Sequence, residues 1–277
     1  MDWAAQLLVW IARYTRTLNR PVYLVGDGTY ATYELMGKAI CSGVGLITRM
    51  RMDARLFHFP PPPVKGKRGP KPKIGKRILG MTQRLTDRRI KWVEVVFDEW
   101  YGSKDKTMLI TYGEAIWSRH SYQKVPLRWV LIKDPQGKLD PVLLACTNME
   151  ISVIDIVHFF VRRWQVEVTF AEVRRHLGVE TQRQWSDLAI DRATPLLMGL
   201  KSIICLLAIP LFATDNIPLR TTAWYSKSHF TFSDVHAAVR QRIWAVSKFS
   251  TSPLTCQVDN LKARIRYLEQ LLTEAVA

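Results

Sequence analysis

Two carboxylates, Asp27 and Glu167, have the settings in which an acidic residue does chemistry. Asp27 follows VYLVG, a short unbroken apolar run of the kind buried on both faces of a sheet. It therefore stands at the carboxyl end of an expected strand, where α/β sheets place their reactive groups. Glu167 lies in SVIDIVHFFVRRWQVEVTFAEVRRHLG, Ser152 to Gly178, which reads as one long amphipathic helix. On a wheel of about 100° per residue, Glu167 falls about 40°, Arg174 about 20° and Phe160 about 60° from Arg163. These four share a narrow stripe with Ile156 and Phe170, the apolar and inward-looking side of the helix. A carboxylate between two arginines on that side suits a metal ligand in phosphodiester cleavage. That reaction uses two hard cations about 4 Å apart, held by carboxylates, to activate the attacking oxygen and stabilise the leaving one. Arg163 and Arg174 would hold phosphates beside the metals and keep Glu167 ionised. The same residues also suit a structural Arg–Glu–Arg cluster, and Asp27-Gly28 also suits a turn or helix N-cap.

Those carboxylates need a strand tip and a helix to hold them, and the order of the chain supplies both. Residues 3–17 read as a helix, broken at Asn19-Arg20-Pro21. After the Asp27 strand comes a helical pattern from Tyr30 to Ile40 and a second strand in VGLITRMR, making a strand–helix–strand unit. From residue 58 the composition shifts: Pro60 to Pro63 lead into VKGKRGPKPKIGKR, a linker or mobile loop without a core of its own. Its Lys65, Lys67, Arg68, Lys71 and Lys73, spaced by Gly and Pro, suit draping along phosphates without reading sequence, or a merely solvated loop. Residues 91–147 then read as tryptophan-rich antiparallel strands, with hairpin turns at Tyr101–Asp105 and at Asp134-Pro135-Gln136-Gly137. Ser152 and Asp155 resemble a capping box at the start of the Glu167 helix. The other acidic residues, Asp53, Asp98, Glu99, Asp134 and Asp140, fall at strand ends or turns and read as solvated. Beyond Thr214, a helix is expected over Ser233–Val246 and another after Ser252-Pro253. The latter carries the stripe Leu254, Val258, Leu261, Ile265, Leu268 and Leu272, which would pack on the core or on a second protomer.

Composition narrows the partners. Of 277 residues, 40 are basic and 24 acidic, a net charge of +16 that favours a polyanionic partner through counterion release. Four cysteines, at 41, 146, 205 and 256, show no CxxC or Cys/His spacing, which argues against a zinc site and for reduced thiols in the cytosol. The start, MDWAAQLLVWIARYTR, has neither the basic region nor the cleavage site of a signal peptide. Leu196 to Ala213 is marginally long enough to span a membrane, but Lys201 and Pro210 interrupt it, so a buried core helix is expected.

The run Phe160, Arg163, Glu167, Arg174 resembles the Tyr–Arg–Glu–Lys signature of DDE transposases of bacterial insertion sequences, the group around insertion sequences four and 701. The spacings agree, as do the neighbours Arg163-Trp164-Gln165-Val166-Glu167 and His176-Leu177-Gly178-Val179, and VYLVGDGTY resembles that family's second catalytic Asp block. The resemblance covers nearly the whole chain. It implies an α/β, RNase H-like (retroviral-integrase-like) core with a β-rich insertion before the catalytic-Glu helix. Asp27 and Glu167 would be catalytic and metal ligands, binding Mg2+ or Mn2+ at a two-metal site. Phe160, Arg163, Arg174 and the 65–73 cations would touch double-stranded DNA at element ends and target. Two departures stand out. Phe160 and Arg174 replace Tyr and Lys, losing a hydroxyl and altering phosphate geometry. The family's first Asp lies on a strand well upstream of the second, whereas the 26 residues before Asp27 read as a helix. The chain therefore resembles the C-terminal portion of such a transposase, N-terminally truncated and lacking the first catalytic Asp.

The expected organisation is core over 1–56, basic loop and insertion over 57–126, core with the Glu167 helix over 127–213, and a helical tail over 214–277. With one ligand missing, weak or no cleavage is expected. The alternative is a non-catalytic DNA-binding remnant or regulator. Expected partners are DNA and a second copy or a full-length transposase, with no membrane. The expected setting is the bacterial cytoplasm, associated with the nucleoid.

Overall fold

The computed structural model describes residues 2–18, 20–62, 72–181, 183, 186–214, 217, 219, 227, 229–246, 265–266 and 270. Lys65, Lys67, Arg68 and Lys71, Cys256 and most of the 254–272 stripe lie outside the described residues. The chain forms two compact units, Met1–Gln165 and Val166–Ala277.

The first unit is built on one mixed sheet. Its strands are β1 (Tyr23–Gly26), β2 (Gly45–Met50), β3 (Leu56–Phe57), β4 (Val93–Trp100), β5 (Ser103–Trp117), β6 (Val125–Lys133) and β7 (Val142–Cys146). The order is β1-β2-β7-β6-β5-β3, with β4 also on β5. β1 and β2 are parallel, joined by α2 (Tyr33–Ser42), and every other pairing is antiparallel. Strands of the expected insertion thus join the same sheet as those that follow it. β1 ends the order, and among the described residues no strand pairs its outer edge.

Side chains alternate between two cores, as a sheet covered on both faces requires. Leu46, Leu127, Trp129, Leu131, Leu143 and Ala145 face one side, where they join Leu8 and Ala12 of α1 (Asp2–Thr15) and Leu35, Met36 and Ala39 of α2. Met81, from the short α3 (Met81–Thr86), closes that core. Ile47, Val130, Ile132, Leu144 and Cys146 face the other side, with Phe97 and Met108 and with Ile156, Val157 and Phe160 of α4 (Val153–Arg162). Fully burying each Leu, Ile or Phe contributes roughly 1.5–3 kcal/mol.

Local chemistry sets the turns. Tyr101 (φ 47°) and Gly102 (φ 83°) form a two-residue turn with both φ positive, tighter than the five residues expected from sequence and matched to strand twist. At the second turn the Gly137 N–H donates to the Asp134 carbonyl at 3.1 Å, as expected for a type I turn. Asp134 itself corrects the sequence reading. It is buried, accepts from the Gln136 N–H at 3.0 Å and pairs with Lys106 at 3.4 Å. The Gln136 amide and, less strongly, Lys106 outweigh burial and hold its carboxyl below the usual range.

The expected single helix over 152–178 is two. Ser152 caps α4 by accepting from the Ile154 N–H at 3.2 Å, and α4 ends at Arg163, a turn residue before α5 (Trp164–Leu177). The expected inward stripe ends there too: Ile156 and Phe160 are buried, whereas Phe170 is 49% exposed and Glu167 is exposed.

The second unit holds most of α5 with α6 (Asp187–Ala213) and α7 (Phe232–Val246). Ile204 and Ala208 of α6 pack on Val235, Ala238 and Val239 of α7. The expected buried helix is corrected here, since only 11% of the most apolar stretch of α6 is buried. By length and composition α6 is long and apolar enough to cross a membrane. Asp234 reaches back to the start of α7, where the Thr231 N–H and hydroxyl donate to its Oδ2 at 2.9 and 2.7 Å.

Candidate active site

Asp27 lies at the carboxyl tip of β1 and is exposed, the position its sequence context requires. It is also the N-cap of a short 3-10 turn over Gly28–Tyr30, as the alternative sequence reading expected. Its Oδ1 accepts from the Thr29 N–H at 2.9 Å and the Thr29 hydroxyl at 2.6 Å. The Thr29 hydroxyl, then its amide, and to a lesser degree the Arg163 guanidinium hold the Asp27 carboxyl below the usual range. Thr48, fully buried on the neighbouring β2, donates its hydroxyl to the Asp27 carbonyl and fixes the backbone there.

The chain reaches Arg163 by an anchored route. Arg128 Nη1 on β6 donates to the Met149 carbonyl at 2.8 Å. Asn148 Nδ2 donates to the Tyr23 hydroxyl at 3.1 Å, and the Tyr23 ring packs against Phe159 of α4, centroids 5.3 Å apart. The strand bearing Asp27 and the helix ending at Arg163 are therefore locked together. Arg163 stacks its guanidinium over the Phe160 ring, 5.7 Å from the centroid. Phe160 itself is buried in the core, so its ring seats Arg163 rather than standing at the surface.

Within the first unit, Asp27, Phe160 and Arg163 come together. Lys73 is exposed in the loop between β3 and α3. Glu167 and Arg174 belong to the second unit. There Arg174 forms a forked pair with Glu180, both N–O distances 2.7 Å. That pairing draws Arg174 to the loop after Gly178, whose φ of 77° turns the chain back. Glu180, met only as part of a polar stretch in sequence, has no spacing signal that would have marked it.

A divalent ion needs several oxygen ligands converging on one point. Among the described residues no three His, Cys, Asp or Glu side chains come together as a metal cage. The residues present do not by themselves fit the two-metal site expected from sequence, and no catalytic step through a metal follows from them. What the first unit does build is an ionised carboxylate with an arginine charge nearby, at the tip of an edge strand whose outer side pairs with no strand among the described residues. Beside it, Gly28 borders a cleft lined by Arg55, Arg119 and Trp117, residues for which isolated arginines and a lone tryptophan gave no sequence signal.

The family model of the DDE superfamily endonucleases matches residues 2–106. The matched stretch contains Asp27 and stops short of Arg163 and Glu167. No curated protein matches the sequence. Endonucleases of this superfamily cut DNA and generally depend on divalent metal ions. The mixed sheet with helices on both faces is consistent with an RNase H-like α/β fold. Over its N-terminal part, the chain is thus similar to the DDE superfamily endonucleases, with Asp27 inside the shared region.

Proposed function

We propose that this chain is a polypeptide of a DDE-type transposase of a bacterial insertion sequence, of the group around insertion sequences four and 701. It handles double-stranded DNA at element ends and target, in the cytoplasm and at the nucleoid, as a homodimer or paired with a full-length transposase. The observation that carries this reading is Asp27: an ionised carboxylate at a parallel strand tip, within Coulomb reach of Arg163, inside the stretch similar to DDE endonucleases. Asp27 and Glu167 supply two of three carboxylates for Mg2+ or Mn2+. The third belongs on a further strand paired to the outer edge of β1. The unpaired edge and the absence of a three-carboxylate cluster among the described residues support that assignment. On this reading 57–126 is the insertion and 214–277 the tail.

That no three-carboxylate cluster forms among the described residues also favours a second reading, a DNA-binding regulator that occupies element ends without cutting. Both readings need DNA binding driven by phosphate contacts, with a steep inverse dependence on salt. Titration of duplex DNA at several salt concentrations should give that slope. Neutralising Lys65, Lys67, Arg68, Lys71 and Lys73 should flatten it and weaken binding, while Glu167→Ala should leave it intact. No binding, or salt-insensitive binding, would remove both readings.

A further inference from the structure

In the second unit, the side of α7 that meets its neighbours mixes apolar residues with two ionisable ones. Phe232, Val235, His236, Val239 and Arg240 stand at i, i+3, i+4, i+7 and i+8, one side of a helix. Val235 and Val239 are buried with Ile204 and Ala208 of α6, and that packing fixes which way the side faces. The end of α5 arrives at the same place. Leu177 packs on the apolar cluster, and the His176 ring lies 5.8 Å from the ring of Phe232. His236 stacks on Phe232, centroids 6.0 Å apart and planes 15° from parallel. Phe232 thus meets one imidazole from α5 and one from its own helix.

The two imidazoles keep different company. His176 has a carboxylate: Glu172, one turn before it on α5, lies 3.2 Å from its Nε2. His236 has no such counter-ion among the described residues. Its Nδ1 is buried and makes no hydrogen bond among them. The groups that act on it electrostatically are Arg240, one turn further along α7, and His176 on α5, the first cationic and the second able to become so. Asp234, the acid closest in sequence, is engaged by Thr231 and Lys227, and α6 brings the apolar Ile204, Ala208 and Leu211 to this packing. Burial, then the Arg240 and His176 charges, hold the His236 pKa below the ordinary imidazole value. Because the folded value is the lower one, the contribution of the neutral ring is whole above about pH 6.5, the ordinary histidine value, and is lost as pH falls below it.

We propose that His236 is an acid-sensitive latch between α7 and the end of α5: neutral, its ring holds α7 closed on α5 and α6, and protonated, it leaves Phe232 for solvent and frees α7. The latch bears on α5, the helix that carries Glu167, so its release loosens the far end of that helix. Neither DNA nor a metal enters the device, so DNA binding can fail with the latch intact. The test is hydrogen exchange of the full chain at about pH 7.5 and about pH 5.5, read by peptide mass spectrometry and corrected for the intrinsic rate at each pH. Protection across α7 should fall about threefold or more at the lower pH, while β6 in the first unit keeps its protection. His236→Phe, which can stack on Phe232 but takes no proton, should abolish that fall. No fall in the wild type, or an equal fall in the variant, would overturn the proposal. Where His236→Phe does not fold, an NMR titration of the wild-type imidazoles decides. A His236 midpoint below the ordinary value, with α7 resonances changing in step, supports the latch. A midpoint at or above that value, or α7 unmoved through the titration, overturns it.

Discussion

At the scale of single residues, the environment of each group decides its chemistry more than its identity does. Asp27 and Asp134 are both turn carboxylates in sequence, yet one stands exposed at a strand tip and the other is buried against Lys106. Cys146 makes the same point for thiols. It is fully buried beneath α4, and burial pushes its pKa up to about 12, so almost no thiolate exists at neutral pH. Cys41 and Cys205 are exposed. Alkylation of the folded chain at neutral pH should therefore label Cys41 and Cys205 and spare Cys146, with Cys146 labelled as well in denaturant, as read by peptide mass spectrometry. Rapid labelling of Cys146 in the folded state would mean that the sheet face beneath α4 is not packed as described.

At the scale of elements, sequence patterns reported the sheet faithfully and the helices less so. The apolar run before Asp27, the antiparallel strands within 91–147 and the Asp-Pro-Gln-Gly turn each carry their own local cause, a two-sided burial or a fixed φ, and each is found in the structure. The 152–178 helix misled because its 3.6-residue periodicity runs unbroken through Arg163, while the backbone makes a turn there. Periodicity reports which residues would share a face, not whether a second surface arrives to bury it, and so Phe170 and the apolar face of α6 remain exposed. The helix over 233–246 was legible, but the buried charge pair at its start was not. Asp234 accepts from Thr231 and pairs with Lys227 at 3.0 Å. Burial pushes its carboxyl up, but the Thr231 bonds and the Lys227 charge outweigh it and leave the pKa below the usual range. A depressed folded pKa means that this stabilisation is complete above the ordinary aspartate value of about 4 and is lost as pH falls through the lower folded value. Asp234→Ala should destabilise the second unit by roughly 1–3 kcal/mol at neutral pH, by removing a cap and stranding Lys227. Urea titrations of wild type and variant should differ by that amount at pH 7 and converge in strong acid. A difference that persists unchanged in acid would contradict the assignment.

At the scale of the whole molecule, the first unit carries Asp27, an arginine charge near it and a sheet edge that no described strand pairs, and the second carries Glu167. The spacing from Phe160 to Arg174 pointed to Glu167 from sequence, since i, i+3 and i+4 intervals survive in any helical segment, and the apolar run VYLVG pointed to Asp27. It said nothing of what completes the site, because a metal cage is a convergence of distant segments that spacing within one helix does not encode. The net charge of +16 supplies a substrate class, and the similarity of residues 2–106 to DDE endonucleases supplies a reaction class. The proposal that joins them is a DNA-binding chain that carries two of three metal ligands. The most direct test is one gel assay in which the purified 277-residue chain is mixed with supercoiled DNA in Mg2+ at low salt, beside Glu167→Ala. The account predicts DNA shifted into complex by both proteins, with nicking at background in both. Robust Mg2+-dependent cleavage that Glu167→Ala abolishes would contradict it, by showing that the metal site is already complete.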